Sequence, residues 1–134
     1  MNLNIPIADI MTKEVHYVKP EQKLIDVKHI FEKKNFHHHI PVVENGKLIG
    51  MISLTDFLFA IKNASLNDND KEYHRLSVKD IMRERPATVK SAATVKSVVN
   101  ELAKGEVHAF PVCDDGILKG IVSTADIMRY ILVK

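Results

Sequence analysis

The sequence has few of the residues that mark secreted, membrane or redox proteins. Its 134 residues include one cysteine and no tryptophan. A single cysteine, Cys113, excludes an internal disulfide, and we expect it to be a packed thiol. No apolar run approaches the roughly 20 residues of a membrane span, and the N-terminus lacks the apolar core of a signal peptide. These absences predict a cytoplasmic protein that does not interact with a membrane.

Charge of one sign is also lacking. The sequence has 19 Lys and Arg residues and 17 Asp and Glu residues, which gives a formal net charge of +2, and it has no long basic run. A charge this small gives no reason to expect a nucleic-acid partner. The sequence has no glycine-rich phosphate loop with a lysine, no His-Glu-x-x-His, no Gly-x-Ser-x-Gly and no Cys-x-x-Cys. We therefore expect no enzyme activity, no metal site and no cofactor.

What the sequence does contain is a tandem duplication. The stretch Gly50–Asp56 returns 70 residues later as Gly120–Asp126, and both copies read glycine, two apolar residues, serine, two spacers and aspartate. Other pairs repeat as well: Asp-Ile-Met at 9–11 and 80–82, Pro-Val at 41–42 and 111–112, and Asn-Gly at 45–46 with Asp-Gly at 115–116. A copy of roughly 60 residues would be marginal alone, so we expect a shared core. We divide the chain into repeat 1 (1–62), a polar linker (63–76) and repeat 2 (77–134).

Each repeat predicts the element order β-α-β-β-α after a short lead-in. Short first strands are expected at 15–18 and 87–89, and apolar residues then recur at helical spacing. Asn45-Gly46 and Asp115-Gly116 favour type I′ hairpin turns, in which both central residues have positive φ. Pro41 and Pro111 are expected at an edge, a strand start or a bulge, because proline cannot donate to a ladder. We expect the linker to be a surface connection.

This ordered set of motifs, present twice, resembles the CBS-domain pair, or Bateman module. The resemblance implies an α+β fold in which two β-α-β-β-α repeats pack pseudo-symmetrically as one module with small mixed three-stranded sheets. It also implies two clefts between the repeats that bind adenine nucleotides or S-adenosylmethionine, and a homodimer. We expect a free-standing module.

The Ser-x-x-Asp of each motif has two interpretations. Ser53 with Asp56, and Ser123 with Asp126, each have the spacing of a capping box, which needs no ligand. A helix N-terminus also suits a phosphate, a serine hydroxyl adds a donor, and a carboxylate can accept from two ribose hydroxyls. The resemblance implies that the serines face phosphate and the aspartates face ribose, and Thr55 adds a second hydroxyl beside Asp56.

Three consecutive histidines, at 37–39, precede the hairpin of repeat 1. In a strand two of them share a face, so the run supplies at most two ligands to one metal. They are ordinary solvated or partly buried histidines in one interpretation. In the other, resemblance to the gamma subunit of the AMP-activated protein kinase implies phosphate contacts from His38, His39 and His108, and places the base near His16 or Ala87.

We therefore predict a regulatory module that binds AMP, ADP, ATP or S-adenosylmethionine and acts on a protein partner that the sequence does not identify. The alternative is a structural dimerisation module without a bound nucleotide. In both cases we expect dimerisation through the second helix of each repeat, whose apolar residues exceed what one small core can cover. These residues are Phe57, Phe59, Ile61, Ile127, Ile131 and Leu132.

Overall fold

The computed structural model describes residues 1–33 and 38–133, so His37 lies outside the described residues. The fold is α+β, as predicted. After a short 3-10 turn at Ile7–Asp9, the elements are α1 (Leu24–Phe31), β1 (His39–Glu44), β2 (Lys47–Ser53), α2 (Leu54–Ala60), α3 (Glu72–Arg75), α4 (Val78–Ile81), β3 (Arg83–Glu84), α5 (Val95–Leu102), β4 (Ala109–Asp114), β5 (Ile117–Ser123) and α6 (Thr124–Leu132).

The longer strands form two hairpins. Strand β1 pairs antiparallel with β2, and β4 pairs antiparallel with β5. The turn residues have φ values of 52° at Asn45, 81° at Gly46, 52° at Asp115 and 81° at Gly116, so both central positions of each turn are left-handed and the type I′ prediction is confirmed. Each hairpin shifts register directly after Pro-Val, so that one valine separates each proline from a bulge.

The predicted first strands are shorter in the structure than the sequence suggests. Each reduces to one parallel bridge, from Val18 to Val42 and from Val89 to Val112. The Val18 amide donates to the Pro41 carbonyl oxygen at 3.0 Å, and the Val18 oxygen accepts from the Val43 amide at 2.9 Å. Pro20 follows two residues later and, having no N–H group, cannot extend this ladder. Each hairpin thus gains a third, parallel segment that is one residue wide.

The chain forms two compact units that cut across the sequence repeats. One unit comprises His16–Arg85 and is called here the Asp56 unit. The other comprises Met1–Val15 with Pro86–Lys134 and is called the Asp126 unit. The first Asp-Ile-Met lead-in therefore belongs with the hairpin of repeat 2, and the second lead-in belongs with the hairpin of repeat 1.

Each unit has its own apolar core. In the Asp56 unit, α1 buries Leu24, Val27 and Phe31 along one face, with the helical spacing that the sequence predicts. Three residues of the expected dimer face are instead core residues, since Phe57, Ile61 and Ile127 are all buried. The other three, Phe59, Ile131 and Leu132, are exposed. Cys113 is buried, and burial raises the pKa of its thiol, in agreement with a packed residue.

The linker between the repeats is more ordered than its polar composition predicts. Tyr73 is fully buried, its ring stacks on Phe57 with centroids 6.5 Å apart, and its hydroxyl donates to the Ser65 carbonyl oxygen at 2.6 Å. The buried ammonium of Lys28 in α1 pairs with Asp68 at 2.5 Å, and hydrogen bonds to Asp68 and Glu32 hold the pKa of Lys28 well above its usual range. One aromatic ring thus attaches this segment to α2, and one buried charge attaches it to α1.

The glycine of each repeated motif makes room for a lead-in segment. A β-carbon on Gly120 would lie 2.7 Å from the Thr12 carbonyl oxygen and 2.7 Å from Met11 Sδ. Thr12 also exchanges two 2.9 Å backbone hydrogen bonds with Ile121. In the Asp56 unit, a β-carbon on Gly50 would lie 2.6 Å from Met82 Sδ and 3.0 Å from the Arg83 oxygen. At Gly120 the lead-in backbone itself leaves no room for a side chain, whereas at Gly50 the closest atom is the end of the Met82 side chain.

We expect Gly120→Ala to destabilise the protein by about 1–3 kcal/mol, the usual cost of forcing extra atoms into a packed site. The clash involves a backbone oxygen that is hydrogen-bonded into the sheet and cannot move alone. Thermal unfolding followed by circular dichroism measures the effect.

Gly50→Ala is the matched comparison. Its closest clash is with the end of the Met82 side chain, which can move, so we expect a smaller loss, with part of it recovered by Met82→Ala. An unchanged melting temperature for Gly120→Ala would contradict the close approach.

Candidate functional site

Both Ser-x-x-Asp motifs cap a helix. Ser53 precedes α2, and its Oγ accepts from the Asp56 amide at 3.0 Å. Ser123 precedes α6, and its Oγ accepts from the Asp126 amide at 3.3 Å. In the second motif the Ser123 amide also donates to Asp126 Oδ2 at 2.8 Å, which completes a reciprocal capping box. Both serines therefore cap their helices, the full capping box forms only in the second motif, and the two motifs differ in how the carboxylate is used.

Asp126 is buried, and both of its carboxylate oxygens have partners. Oδ1 accepts from Thr12 Oγ1 at 2.9 Å and from Arg129 Nη2 at 2.5 Å. Oδ2 accepts from the Ser123 amide at 2.8 Å and from Ser123 Oγ at 3.1 Å. The side chain is only 3% exposed. Four donors make this carboxylate part of the internal structure of its unit.

Asp56 is more accessible and is held mainly by one residue. Arg83 Nε donates to Oδ2 at 2.9 Å and Arg83 Nη2 donates to Oδ1 at 3.2 Å, the two-bond geometry typical of an arginine–carboxylate pair. The Asp56 side chain is 19% exposed and that of Arg83 is 78% exposed. The hydrogen bonds from Arg83 lower the pKa of Asp56 below its usual value, so the carboxyl is negatively charged near neutral pH.

The arginine that binds each aspartate comes from a different place in the two units. Thr12 and Arg83 are equivalent residues, each directly after Asp-Ile-Met (83 − 71 = 12). Arg129 lies in the helix of its own motif, where repeat 1 has Phe59 (129 − 70 = 59). The arginine thus comes from the lead-in in one unit and from the helix in the other.

The sequence interpretation did not identify Thr12, Arg83 or Arg129. The repeated Asp-Ile-Met was the one sequence pattern that could have pointed to Thr12 and Arg83. It indicates that both lead-ins share a conformation, but it does not show which strand each lead-in contacts.

The structure brings the predicted histidines to the serines within each unit. The His38 carbonyl oxygen accepts from the Leu54 amide at 2.8 Å, and His39 lies opposite Ser53 in the hairpin register. In the Asp126 unit, the His108 carbonyl oxygen accepts from the Thr124 amide at 3.0 Å, and Ala109 lies opposite Ser123. His38 and His108 are exposed, whereas His39 is half-buried.

The remaining predicted residues are exposed. Thr55 lies in the first turn of α2, one residue before Asp56. His16 and Ala87 each lie two residues before a bridging valine, so His16 belongs to the Asp56 unit and Ala87 to the Asp126 unit. Both are therefore placed with the first segment of their own repeat.

Potential metal ligands gather once within residues 1–33 and 38–133. His29, Glu32 and Asp68 have ligand atoms within 4.8 Å of one another, and all three residues are exposed. The ammonium of Lys28 already binds both carboxylates, so a cationic group already occupies this position. Across the same part of the chain, each helix is too short or too polar to span a bilayer.

Two hairpin-and-helix motifs, each completed by the lead-in of the other repeat, define a paired-repeat module. The family model for the CBS domain matches residues 7–63 and 78–133. The chain belongs to the CBS-domain family.

Known proteins support the same fold. A protein of Vibrio cholerae named for acetoin utilization, AcuB, is 26% identical with a TM-score of 0.83, covering 98% of this chain and 93% of that one. The CBS domain pair of protein MJ0100, solved in complex with 5′-methylthioadenosine and S-adenosyl-L-methionine, is 25% identical with a TM-score of 0.77, covering 96% of each chain.

A curated relative, protein MJ1225 of Methanocaldococcus jannaschii, is 28% identical over 133 residues. The match covers 95% of this chain and 47% of that protein. The chain spans about half the length, or less, of the first curated relatives that it matches.

We expect Asp126→Ala to destabilise the protein by about 1–3 kcal/mol, because the substitution leaves donors inside the unit without their acceptor and removes half of a capping box. Asp56→Ala should have a clearly smaller effect, since its main partner is exposed to water. Urea unfolding of both variants measures the difference.

Asp115→Asn is the control, because asparagine occupies the equivalent turn position at 45 and adopts the same positive φ. Equal losses for Asp56→Ala and Asp126→Ala would contradict the different roles of the two carboxylates.

Proposed function

We propose that the chain is a regulatory module that binds an adenosine-containing ligand at its Ser-x-x-Asp motifs and conveys occupancy to a protein partner. The carrying observation is that Ser53, Asp56, His38 and His39 gather at one end of a hairpin, with Ser123, Asp126 and His108 similarly arranged in the other unit. Membership of the CBS-domain family and the adenosine ligands in the MJ0100 complex support this proposal.

The residues present suit the parts of such a ligand. A carboxylate accepts hydrogen bonds from both hydroxyls of a ribose, a role for Asp56 and Asp126. Serine, threonine and histidine side chains donate to phosphate oxygens, a role for Ser53, Thr55 and His39. Binding would stabilise the conformers that accept the ligand and shift the population towards them. Regulation rather than catalysis, and a cytoplasmic location, remain parts of this proposal.

One observation favours the alternative, a structural dimerisation module. The Asp126 carboxylate is buried and engaged by Thr12, Ser123 and Arg129, so its motif has a complete structural role without a ligand. Asp56 is more exposed and is held mainly by Arg83, so we expect ligand binding to depend more strongly on Asp56 than on Asp126.

A thermal-shift panel of AMP, ADP, ATP and S-adenosylmethionine tests the proposal. A ligand at about 100 times its dissociation constant adds about 2.7 kcal/mol to the stability of a one-site protein. For a chain of this size that corresponds to a rise of several degrees in melting temperature.

Asp56→Asn should reduce the shift, whereas Asp115→Asn should retain it. If none of the four compounds raises the melting temperature of the unmodified chain, the dimerisation module is the correct function.

We further propose that the chain forms a homodimer through its second helices. Large apolar side chains are exposed on both: Leu58 and Phe59 on α2, and Met128, Ile131 and Leu132 on α6. Phe59 is 70% exposed. Two apolar faces that repeat within one chain fit a second copy of the same chain, because a two-fold interface is self-complementary.

Light scattering at tens of micromolar should give the mass of a dimer, and Phe59→Glu or Ile131→Glu should reduce it to that of a monomer. Leu66→Glu is the matched control, because Leu66 is 82% exposed but lies in the linker. A monomer before substitution would exclude the dimer.

A further inference from the structure

Arg83 occupies the groups of Asp56 that a ribose would use. Its Nε and Nη2 atoms donate to the two carboxylate oxygens, one bond to each. Two vicinal hydroxyls would donate to the same two oxygens. A vicinal diol and a forked guanidinium both bridge the two oxygens of a carboxylate, so a ligand that binds Asp56 in this way competes with Arg83 for the same bridging position.

We propose that Arg83 determines the specificity of the Asp56 site and makes it prefer an adenosine ligand with an anionic group next to the ribose. This inference rests on the proposed function. A neutral ligand that takes the place of Arg83 on Asp56 has no anionic group to bind the freed guanidinium. A phosphate accepts the displaced guanidinium through two parallel hydrogen bonds, the geometry that arginine makes with phosphate.

The ion pair can open at small cost. Arg83 is 78% exposed and lies in the two-residue strand β3. An ion pair this accessible to water contributes little to stability, so exchange of one anionic partner for another requires little energy. His38 and His39, at the same end of the hairpin, are further donors to an anion when protonated.

The Asp126 unit does not have this arrangement. Thr12 takes the position of Arg83 and contributes a neutral hydroxyl. Arg129 donates to Asp126 at 2.5 Å, but that carboxylate also accepts from Thr12 and from Ser123, and it is buried. Without Arg129 the Asp126 carboxylate would still accept hydrogen bonds from Thr12 and Ser123. The two motifs therefore differ in their response to ligand charge.

The test compares AMP with adenosine on the full chain by titration calorimetry. For Arg83→Thr, the residue type found at position 12, we expect AMP affinity to fall about tenfold or more. Adenosine affinity should stay the same or rise, because no ion pair has to be displaced. Arg83→Lys retains the charge without the forked geometry. Its AMP affinity should lie between those of the unmodified chain and of Arg83→Thr.

Arg75→Thr is the matched control. It removes the same charge from the same unit, and its guanidinium pairs with Glu72 at 2.7 Å. We expect this variant to leave both affinities unchanged. Circular dichroism confirms that each variant is folded before titration.

A second readout needs no ligand. Carbon-detected NMR of the Asp56 carboxyl should show its pKa rising towards the usual value in Arg83→Thr, because the arginine that lowers it is gone. An unchanged Asp56 pKa would show that the ion pair is not formed in solution, and this would overturn the inference.

The other outcomes separate the inference from the proposed function. Equal losses for AMP and adenosine would mean that Arg83 only supports the structure. An unchanged AMP affinity would mean that Arg83 does not select the ligand. Either result overturns the role of Arg83 and leaves the proposed function standing. If neither AMP, adenosine nor S-adenosylmethionine binds the unmodified chain, the proposed function fails, and this inference fails with it.

Discussion

The close approach of each lead-in segment to a strand of the other repeat is the constraint on which the rest of the structure depends. It explains why a glycine begins each repeated motif, since Gly50 and Gly120 lie against Met82 and Met11. It also delivers Arg83 and Thr12 to the two aspartates. Asp-Ile-Met and the motif that runs from glycine to aspartate look unrelated in the sequence. In the structure each Asp-Ile-Met segment packs against the glycine-to-aspartate motif of the other repeat.

The parts of the fold that depend on neighbouring residues could be predicted from the sequence. The turn at Asn45-Gly46 needs positive φ at two adjacent positions, and these residue types favour it wherever the chain places them. The contact between Thr12 and Asp126 joins residues 114 positions apart, and no local pattern names the partner. The burial of Tyr73 is similarly hard to predict, because one aromatic residue in a polar segment does not show that it packs into a core.

The candidate site was predictable to the same degree. Hairpin register brings His39 opposite Ser53, so their proximity follows from a local prediction. The chemical state of each aspartate does not follow, because it depends on residues from a distant segment. Two copies of one motif pattern therefore produce one buried carboxylate, which is bonded within its unit, and one carboxylate that is held by an exposed arginine. A motif defines where a carboxylate lies, and its neighbours decide what it is available to bind.

The exchange of lead-ins also bears on how such a chain could arise. A polypeptide with one repeat that kept this contact would have to obtain its lead-in from a second molecule, and the contact would weaken on dilution. Joining two repeats in one chain makes the same contact intramolecular, at an effective concentration set by the connecting segment. The duplication thus frees the fold from dependence on protein concentration. It also lets residues 12 and 83 diverge, which two identical molecules could not do.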